Sequence, residues 1–171
     1  MIITIVSILI FLIILIAVIY LIGSKIKPEY SAYATTTISK ELKTIWDFTT
    51  DFKNTANWSD YINKVEILND PRLGDEGKIT WLEHYDNFII KLECTDYVDY
   101  EYTEVLMLEP DLVAGTSWRI EFKAIDSSST NVSIKISGQI KNNFLRFFKK
   151  LFNSYDRDAQ VMLEQMKNAV T

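Results

Sequence analysis

Few side chains in this chain of 171 residues have the types and spacing that support chemistry. His84 is the only histidine, and it stands at the end of a predicted strand beside Glu83, Tyr85 and Asp86. An imidazole in that position could act as a general acid or base. Because there is no second histidine and no cysteine close in sequence, the pattern favours an exposed hairpin residue over a catalytic or metal-binding one.

The other candidates for chemistry are weaker. Cys94, the only cysteine, alternates in phase with Ile90 and Leu92, which indicates a small buried apolar residue and not a nucleophile. The acidic and aromatic run over 96–104 lacks the Asp-x-Asp-x-Asp-Gly order of a calcium loop. No zinc spacing, phosphate-binding glycine loop or nucleophile elbow occurs, so the sequence predicts no metal site, no cofactor and no catalytic residues.

The N-terminal residues 1–24 are predicted to form a transmembrane helix. They hold no charged side chain, and 20 of the 24 are apolar. As a helix they would extend about 36 Å, enough to cross a hydrocarbon core of about 30 Å. Tyr20, Lys25 and Lys27 follow the pattern of residues that flank a membrane anchor among the headgroups.

A cleaved signal peptide is the alternative for this segment, since residues 32–34 (Ala-Tyr-Ala) resemble a cleavage site. The missing basic n-region, the long apolar run and the charged residues before the site favour an uncleaved anchor. Lys25 and Lys27 directly follow the span, which predicts a single-pass protein with its C-terminal domain in the cytoplasm.

The remaining chain is predicted to be one acidic domain, residues 33–171, joined to the anchor by a juxtamembrane linker over 25–32. From residue 29 onward the chain carries all 23 acids and 16 of the 18 bases, a balance that does not fit nucleic-acid binding. The linker reaches at most about 26 Å when extended, so the domain stays close to the bilayer.

The periodicity predicts an α+β domain. A short strand over 33–38 precedes one or two short helices, and about six strands with alternating apolar residues follow. From residue 144 to residue 170 an apolar stripe recurs at helical spacing. A bent antiparallel sheet needs a cover for its inner face, and the long C-terminal helix is the element available.

The element order resembles that of the START-like (SRPBCC) superfamily, in its polyketide cyclase/dehydrase branch, some members of which carry an N-terminal membrane helix. The resemblance covers nearly all of residues 30–171 and rests on scattered matches at Trp46, Asp51, Phe52, Trp58, Gly74, Trp81 and Gly138. It implies a helix-grip fold, in which a curved antiparallel sheet wraps a long C-terminal helix around an apolar cavity. Residues 38–40 depart from the family's Asn-Ala-Pro turn, which affects that turn alone.

Aromatic and apolar residues are the candidates for such a cavity, although the same residues would suit an ordinary core. They are Trp46, Trp58, Trp81, Trp118, Phe148, Phe152, Tyr155 and Met162. The segment 141–152 (KNNFLRFFKKLF) holds four bases and four phenylalanines, and could lie on an anionic membrane surface. The spacing of Phe144, Phe148 and Phe152 favours instead a contact with the sheet, and leaves the role of the bases open.

Three functions fit these observations. The leading one is a non-enzymatic, membrane-anchored domain that binds a hydrophobic small molecule or lipid between its sheet and C-terminal helix. A second is an enzyme of the cyclase or hydratase type, with His84, Tyr155 or an acid inside the cavity. A third is an interaction module with a filled core, for which a cavity above about 300 Å³ would be unfavourable. The expected partners are the bilayer and the hydrophobic molecule, and the sequence indicates no oligomeric state.

Overall fold

A computed structural model describes residues 2–110, 115–152 and 154–170, with the backbone alone at residues 154 and 155. The chain begins with helix α1 (Ile2–Lys25), which is long and apolar enough to cross a membrane. The most apolar stretch of α1 is not buried against the rest of the protein. Most of its large apolar side chains are therefore exposed.

The domain is built on one antiparallel sheet of seven strands. The strands are β1 (Glu29–Ile38), β2 (Lys64–Asn69), β3 (Thr80–His84), β4 (Ile89–Val98), β5 (Tyr102–Glu109), β6 (Ser117–Ala124) and β7 (Thr130–Gln139). Their spatial order is β1-β7-β6-β5-β4-β3-β2, so every neighbour except the β1–β7 pair is also consecutive in sequence. The predicted fold class, a curved antiparallel sheet with a C-terminal helix and an N-terminal apolar helix, is confirmed.

Helices cover the inner face of the sheet. Helix α2 (Leu42–Thr50) and a short 3-10 helix (Phe52–Asn57) connect β1 to β2, and helices α3 (Asn143–Leu151) and α4 (Ser154–Val170) follow β7. In the first of two core clusters, Ala159, Leu163 and Met166 of α4 join the inward residues of β1, β6 and β7. The second cluster lies under β2 to β5. There Trp81 stacks on Phe52 with ring centroids 4.2 Å apart.

Strand β1 begins four residues earlier than the alternation predicts. Residues 29–32 pair with residues 139–136 of β7 and so extend the ladder to its end. The segment between α1 and the sheet is therefore residues 26–28, shorter than the predicted linker over 25–32. These residues form a strand because they hydrogen-bond to β7, since their own sequence shows little β-strand pattern.

The C-terminal stripe belongs to two helices and not to one. Helix α4 packs on the sheet, whereas α3 packs on α1, where the rings of Tyr20 and Phe144 lie 5.7 Å apart. Asn142 caps α3, because its side-chain oxygen accepts a hydrogen bond from the Leu145 N–H at 3.1 Å. The prediction that Phe144, Phe148 and Phe152 face the sheet is wrong, since α3 turns its apolar side to α1 and to solvent.

Candidate functional site

A cavity of about 740 Å³ lies between the concave face of the sheet and α4. Strands β5, β6 and β7 supply Met107, Trp118 and Ile136 to one wall. Val161 and Met162 of α4 form the opposite wall. The walls are predominantly apolar, because every second side chain of a strand and one face of a helix point into this space, and those side chains are mostly apolar.

One acidic side chain, Glu83 of β3, lies in this apolar wall. Glu83 is 4% exposed and lines the cavity. The Trp81 indole N–H donates to its Oε1 at 3.1 Å, and the Tyr85 hydroxyl donates to its Oε2 at 2.9 Å. Burial raises the pKa of the Glu83 carboxyl above its usual range, and the two hydrogen bonds only partly oppose that effect. A carboxyl that keeps its proton can donate a hydrogen bond as well as accept one.

Burial and the Glu83–Tyr85 hydrogen bond affect the titration of Tyr85 as well. Burial raises the pKa of the Tyr85 phenol, and the neighbouring Glu83 carboxyl raises it further. The phenol therefore stays protonated and serves as a fixed donor to Glu83. Its ring stacks on Phe88 with centroids 4.6 Å apart, and both residues line the cavity.

Trp58 supplies a second polar group beside the cavity. The residue is 9% exposed, and its indole nitrogen has no hydrogen-bond partner in the part of the chain that the structure describes. Leaving a buried N–H unpaired costs on the order of 1–3 kcal/mol. Glu83, Tyr85 and Trp58 thus place polar groups in walls that are predominantly apolar.

The mouth of the cavity is more polar. Tyr30, Tyr61, Arg157 and Asp158 line it, and Tyr61, Arg157 and Asp158 are exposed. Tyr30 fits there because residue 138 is a glycine: a Cβ at Gly138 would lie 2.9 Å from the Tyr30 ring. The glycine at this position therefore shapes the mouth.

A second hollow, of about 330 Å³, is lined mainly by residues of α2 and of the end of β4. The guanidinium of Arg72 lines it and pairs with Asp70 at 2.7 Å. This hydrogen bond lowers the pKa of Asp70. Arg72 and Asp70 thus form a partly buried ion pair that fixes a loop. Among the residues that line this hollow, none provides a carboxyl in an apolar wall, as Glu83 does in the larger cavity.

The structure brings three of the predicted cavity residues together. Trp58, Trp118 and Met162 line the cavity. Trp81 lies behind it, 1% exposed, and acts on it through its hydrogen bond to Glu83. Trp46 is in the first core cluster, where its ring meets Phe122 edge-on at 5.4 Å.

The remaining predicted cavity residues lie elsewhere. Phe148 is on α3, outside the cavity, because that helix turns away from the sheet, and Phe152 directly follows α3. The side chain of Tyr155 lies outside the described part of the structure. Of the predicted anchor flank, Tyr20 and Lys25 are in the last turns of α1, and Lys27 is in the short connection to β1.

His84 points away from the cavity. It alternates with Glu83 on β3, and its Nε2 lies 3.7 Å from the Glu66 carboxylate on the outer side of the sheet. It is partly buried, not exposed as predicted. Cys94 is buried as predicted, and burial raises the pKa of its thiol. Over the described ranges no three side chains of the metal-binding types form a cluster.

Glu83 is the residue that sequence reasoning missed. The signal was present, since Trp81, Glu83 and Tyr85 alternate at the end of a predicted strand, a spacing that places them on one face. An acid between two aromatic residues usually marks the solvated side of a strand. Only the position of α4 and the 3-10 helix shows that this face is the buried one.

The domain resembles known proteins in its structure and not in its sequence. No protein-family model matches the sequence, and no curated protein sequence matches it. Solved structures do match. The Zhui aromatase/cyclase from Streptomyces sp. R1128 superposes with a TM-score of 0.67 at 16% identity, over 83% of this chain and 93% of that one. A START superfamily protein from Mycobacterium smegmatis gives 0.56 at 11% identity, over 77% and 98%.

The domain has the START-like, helix-grip fold. Norcoclaurine synthase from Thalictrum flavum, solved with dopamine and hydroxybenzaldehyde, is a further match, with a TM-score of 0.62 at 15% identity over 88% of this chain and 90% of that one. At these identities the likeness establishes the fold alone. In this START-like domain, the space between sheet and C-terminal helix is the cavity described above.

The raised pKa of Glu83 predicts a specific pH dependence of stability. The folded state holds the proton more tightly than the unfolded chain does, so stability falls as pH rises from the unfolded pKa of about 4.3 to the folded pKa. Glu83→Gln removes this fall, and the variant should gain stability relative to the parent as the pH approaches neutrality. Chemical unfolding of the full chain in detergent, followed by circular dichroism from acid to neutral pH, measures the difference.

Glu66→Gln on the neighbouring strand is the matched control. Its exposed carboxylate has a pKa lowered by the hydrogen bond from Lys64, so its small contribution has the opposite sign and is lost as pH falls. If Glu83→Gln and the parent unfold with parallel pH profiles, Glu83 is ionised in the folded protein at neutral pH and the assignment fails.

Proposed function

We propose that this protein is a membrane-anchored START-like domain that binds a hydrophobic molecule, such as a lipid, in the cavity between the sheet and α4. The observation that carries the proposal is the cavity itself. Its volume of about 740 Å³ is within the range of about 300–1,000 Å³ typical of small-molecule sites. Its walls, which include Trp118, Ile136 and Met162, favour an apolar body.

The polar region of the cavity suggests what else the molecule carries. Trp58 offers an N–H without a partner among the described residues, and Glu83 offers a carboxyl that favours its neutral form. A ligand with a carbonyl, hydroxyl or ether oxygen near one end would satisfy the indole and could accept from the acid. We therefore propose an elongated apolar ligand with one uncharged polar group.

The volume also bears on the interaction-module hypothesis. A domain with a filled core would leave no such space, and the cavity is larger than the volume of about 300 Å³ above which that hypothesis is unfavourable. A cavity of this size is better explained by an occupant.

Filling the cavity should abolish binding. Ile136→Trp projects a bulky indole ring into the cavity, whereas Lys135→Trp places the same ring on the exposed face of the same strand. With the full chain in nanodiscs and a diazirine-bearing fatty alcohol as probe, we expect photolabelling of cavity peptides in the parent and in Lys135→Trp, and loss of it in Ile136→Trp. Labelling of α1 by the same probe provides the internal reference.

A second variant and a contradicting outcome complete the test. Met107→Trp fills the cavity from β5 and covers the case in which Ile136→Trp fails to fold, as judged by its circular dichroism. Equal labelling of cavity peptides in all folded variants would contradict the proposal.

A cyclase or hydratase-type enzyme is the second candidate, and Glu83 is the observation that favours it. A buried carboxyl poised to keep its proton can donate it to a carbonyl or a leaving hydroxyl. The matching structures include an aromatase/cyclase and norcoclaurine synthase, which adds to this possibility by analogy of fold.

Native mass spectrometry separates the enzyme from the binding protein. If the protein is an enzyme that depends on Glu83, the parent should release its product or hold it in the cavity. The Glu83→Gln variant should instead retain the unreacted molecule. The two proteins would then carry co-purified molecules that differ by one water or in their fragmentation. Bound molecules with the same mass and fragmentation in both proteins would support binding without reaction.

We propose that α1 is an uncleaved anchor and that the domain faces the cytoplasm, since Lys25 and Lys27 follow the span. In a Cys94→Ser background, Glu164→Cys on α4 should react with a membrane-impermeant maleimide only after the cells are permeabilised. Ile2→Cys, at the other end of the span, should react in intact cells. The reverse result would place the domain outside the cytoplasm, and loss of the Ile2→Cys chain end during maturation would identify a signal peptide.

A further inference from the structure

Helix α3 and the residue after it expose an unusually large apolar surface. Four side chains on it are exposed: Leu145 and Phe148 at 42%, Leu151 at 60% and Phe152 at 70%. Contiguous exposed side chains of this size usually mark a site that another molecule or a membrane covers. Burial of one such side chain is worth about 1.5–3 kcal/mol.

The charges of this segment are segregated from its apolar residues. At 100° per residue, Leu145, Phe148 and Phe152 fall on one side of the helix, while Arg146 and Lys150 fall on another. Of these two bases Lys150 is exposed and Arg146 is buried. The segment 141–152 contains four bases and no acid, although the chain as a whole has a net charge of −5. An apolar face beside a basic one is the pattern of helices that lie at the surface of anionic membranes.

Helix α3 is also packed on the predicted membrane anchor. Phe144 meets Tyr20 of α1, and Gly23 approaches so closely that a Cβ there would overlap the Asn143 carbonyl. These contacts lie within the last six residues of α1, at the end where Lys25 marks the headgroup level. The exposed apolar face of α3 therefore adjoins the surface that α1 presents to lipid.

The same helix lies beside the mouth of the cavity. Lys149 pairs with Asp158 of α4 at 2.8 Å, and Asp158 lines the mouth together with Tyr30. Tyr30 is five residues beyond the end of α1. Two independent links thus connect the mouth to the elements nearest the membrane.

From these observations we infer that α3 lies in the membrane–water interface. Its apolar face inserts among lipids next to α1, the exposed bases Lys141 and Lys150 face anionic headgroups, and the cavity mouth is held at the bilayer surface, so that ligands enter from the lipid. This inference rests on the proposed anchor and deepens the proposed function.

Nitroxide accessibility in the full chain tests the inference. In a Cys94→Ser background, Phe148→Cys and Phe152→Cys are spin-labelled in nanodiscs of phosphatidylcholine and phosphatidylglycerol. Ile13→Cys, in the middle of α1, is the lipid reference, and Glu164→Cys, exposed on α4, is the water reference. We expect labels at 148 and 152 to collide readily with oxygen and several-fold less with a water-soluble nickel chelate than the label at 164.

The controls separate failure of this inference from failure of the anchor. Labels at 148 and 152 that behave like 164, with 13 in lipid, overturn the inference and leave the anchor intact. A label at 13 that is accessible to nickel overturns both. Labels at 148 and 152 shielded from both reagents indicate a protein cover, and spin–spin broadening at full labelling would identify it as a second copy of the chain.

The role of the bases has its own comparison. Phosphatidylglycerol should reduce nickel collisions at 148 relative to pure phosphatidylcholine, since each base near an anionic surface contributes attraction. Lys141→Gln combined with Lys150→Gln should abolish that difference. Equal accessibility in both lipids for the parent would overturn the electrostatic part of the inference.

Discussion

The packing of one helix on one side of the sheet governs the rest of this domain. Helix α4 closes on β1 and β7, where Ala32, Ala34 and Ala159 leave room for a close approach. Because a straight helix cannot follow a curved sheet of seven strands, it separates from the inner face beyond β7. The space that opens there, between α4 and the inward side chains of β3, β5, β6 and the last part of β7, is the cavity.

This geometry accounts for the position of Glu83. An acid on the inner face under α4 itself would be buried without room or partners, at a cost of several kcal/mol. On β3 it borders the cavity, and Trp81 on the same strand and Tyr85 just beyond its end donate to both of its oxygens. The site therefore combines a low-polarity environment, which favours the protonated acid, with fixed donors that hold it in one orientation.

Much of this architecture could be predicted from the sequence, because β6 and β7 alternate cleanly and α1 has no competing pattern. Predictions failed where a neighbour, and not the segment itself, determines the outcome. Residues 29–32 become a strand through pairing with β7, and the stripe through Phe148 faces away from the sheet because α3 packs on α1. Periodicity shows which residues share a face, but the element that covers that face depends on tertiary structure. For the same reason, the sequence could not show which tryptophans line the cavity and which belong to the core, and it did not reveal that Glu83 faces the cavity.

The three residues between α1 and β1 have a consequence for any transport function. Fully extended, residues 26–28 reach only about 10 Å. A carrier that ferries molecules between two membranes must leave one surface and cross water to the other, which requires a long tether or none. If α1 anchors the domain as proposed, so short a connection confines the domain to one bilayer, and the search for the proposed ligand would be two-dimensional, within that membrane. Such a protein would take molecules out of its own membrane and present them to a soluble partner, or sense their local concentration, in place of shuttling them.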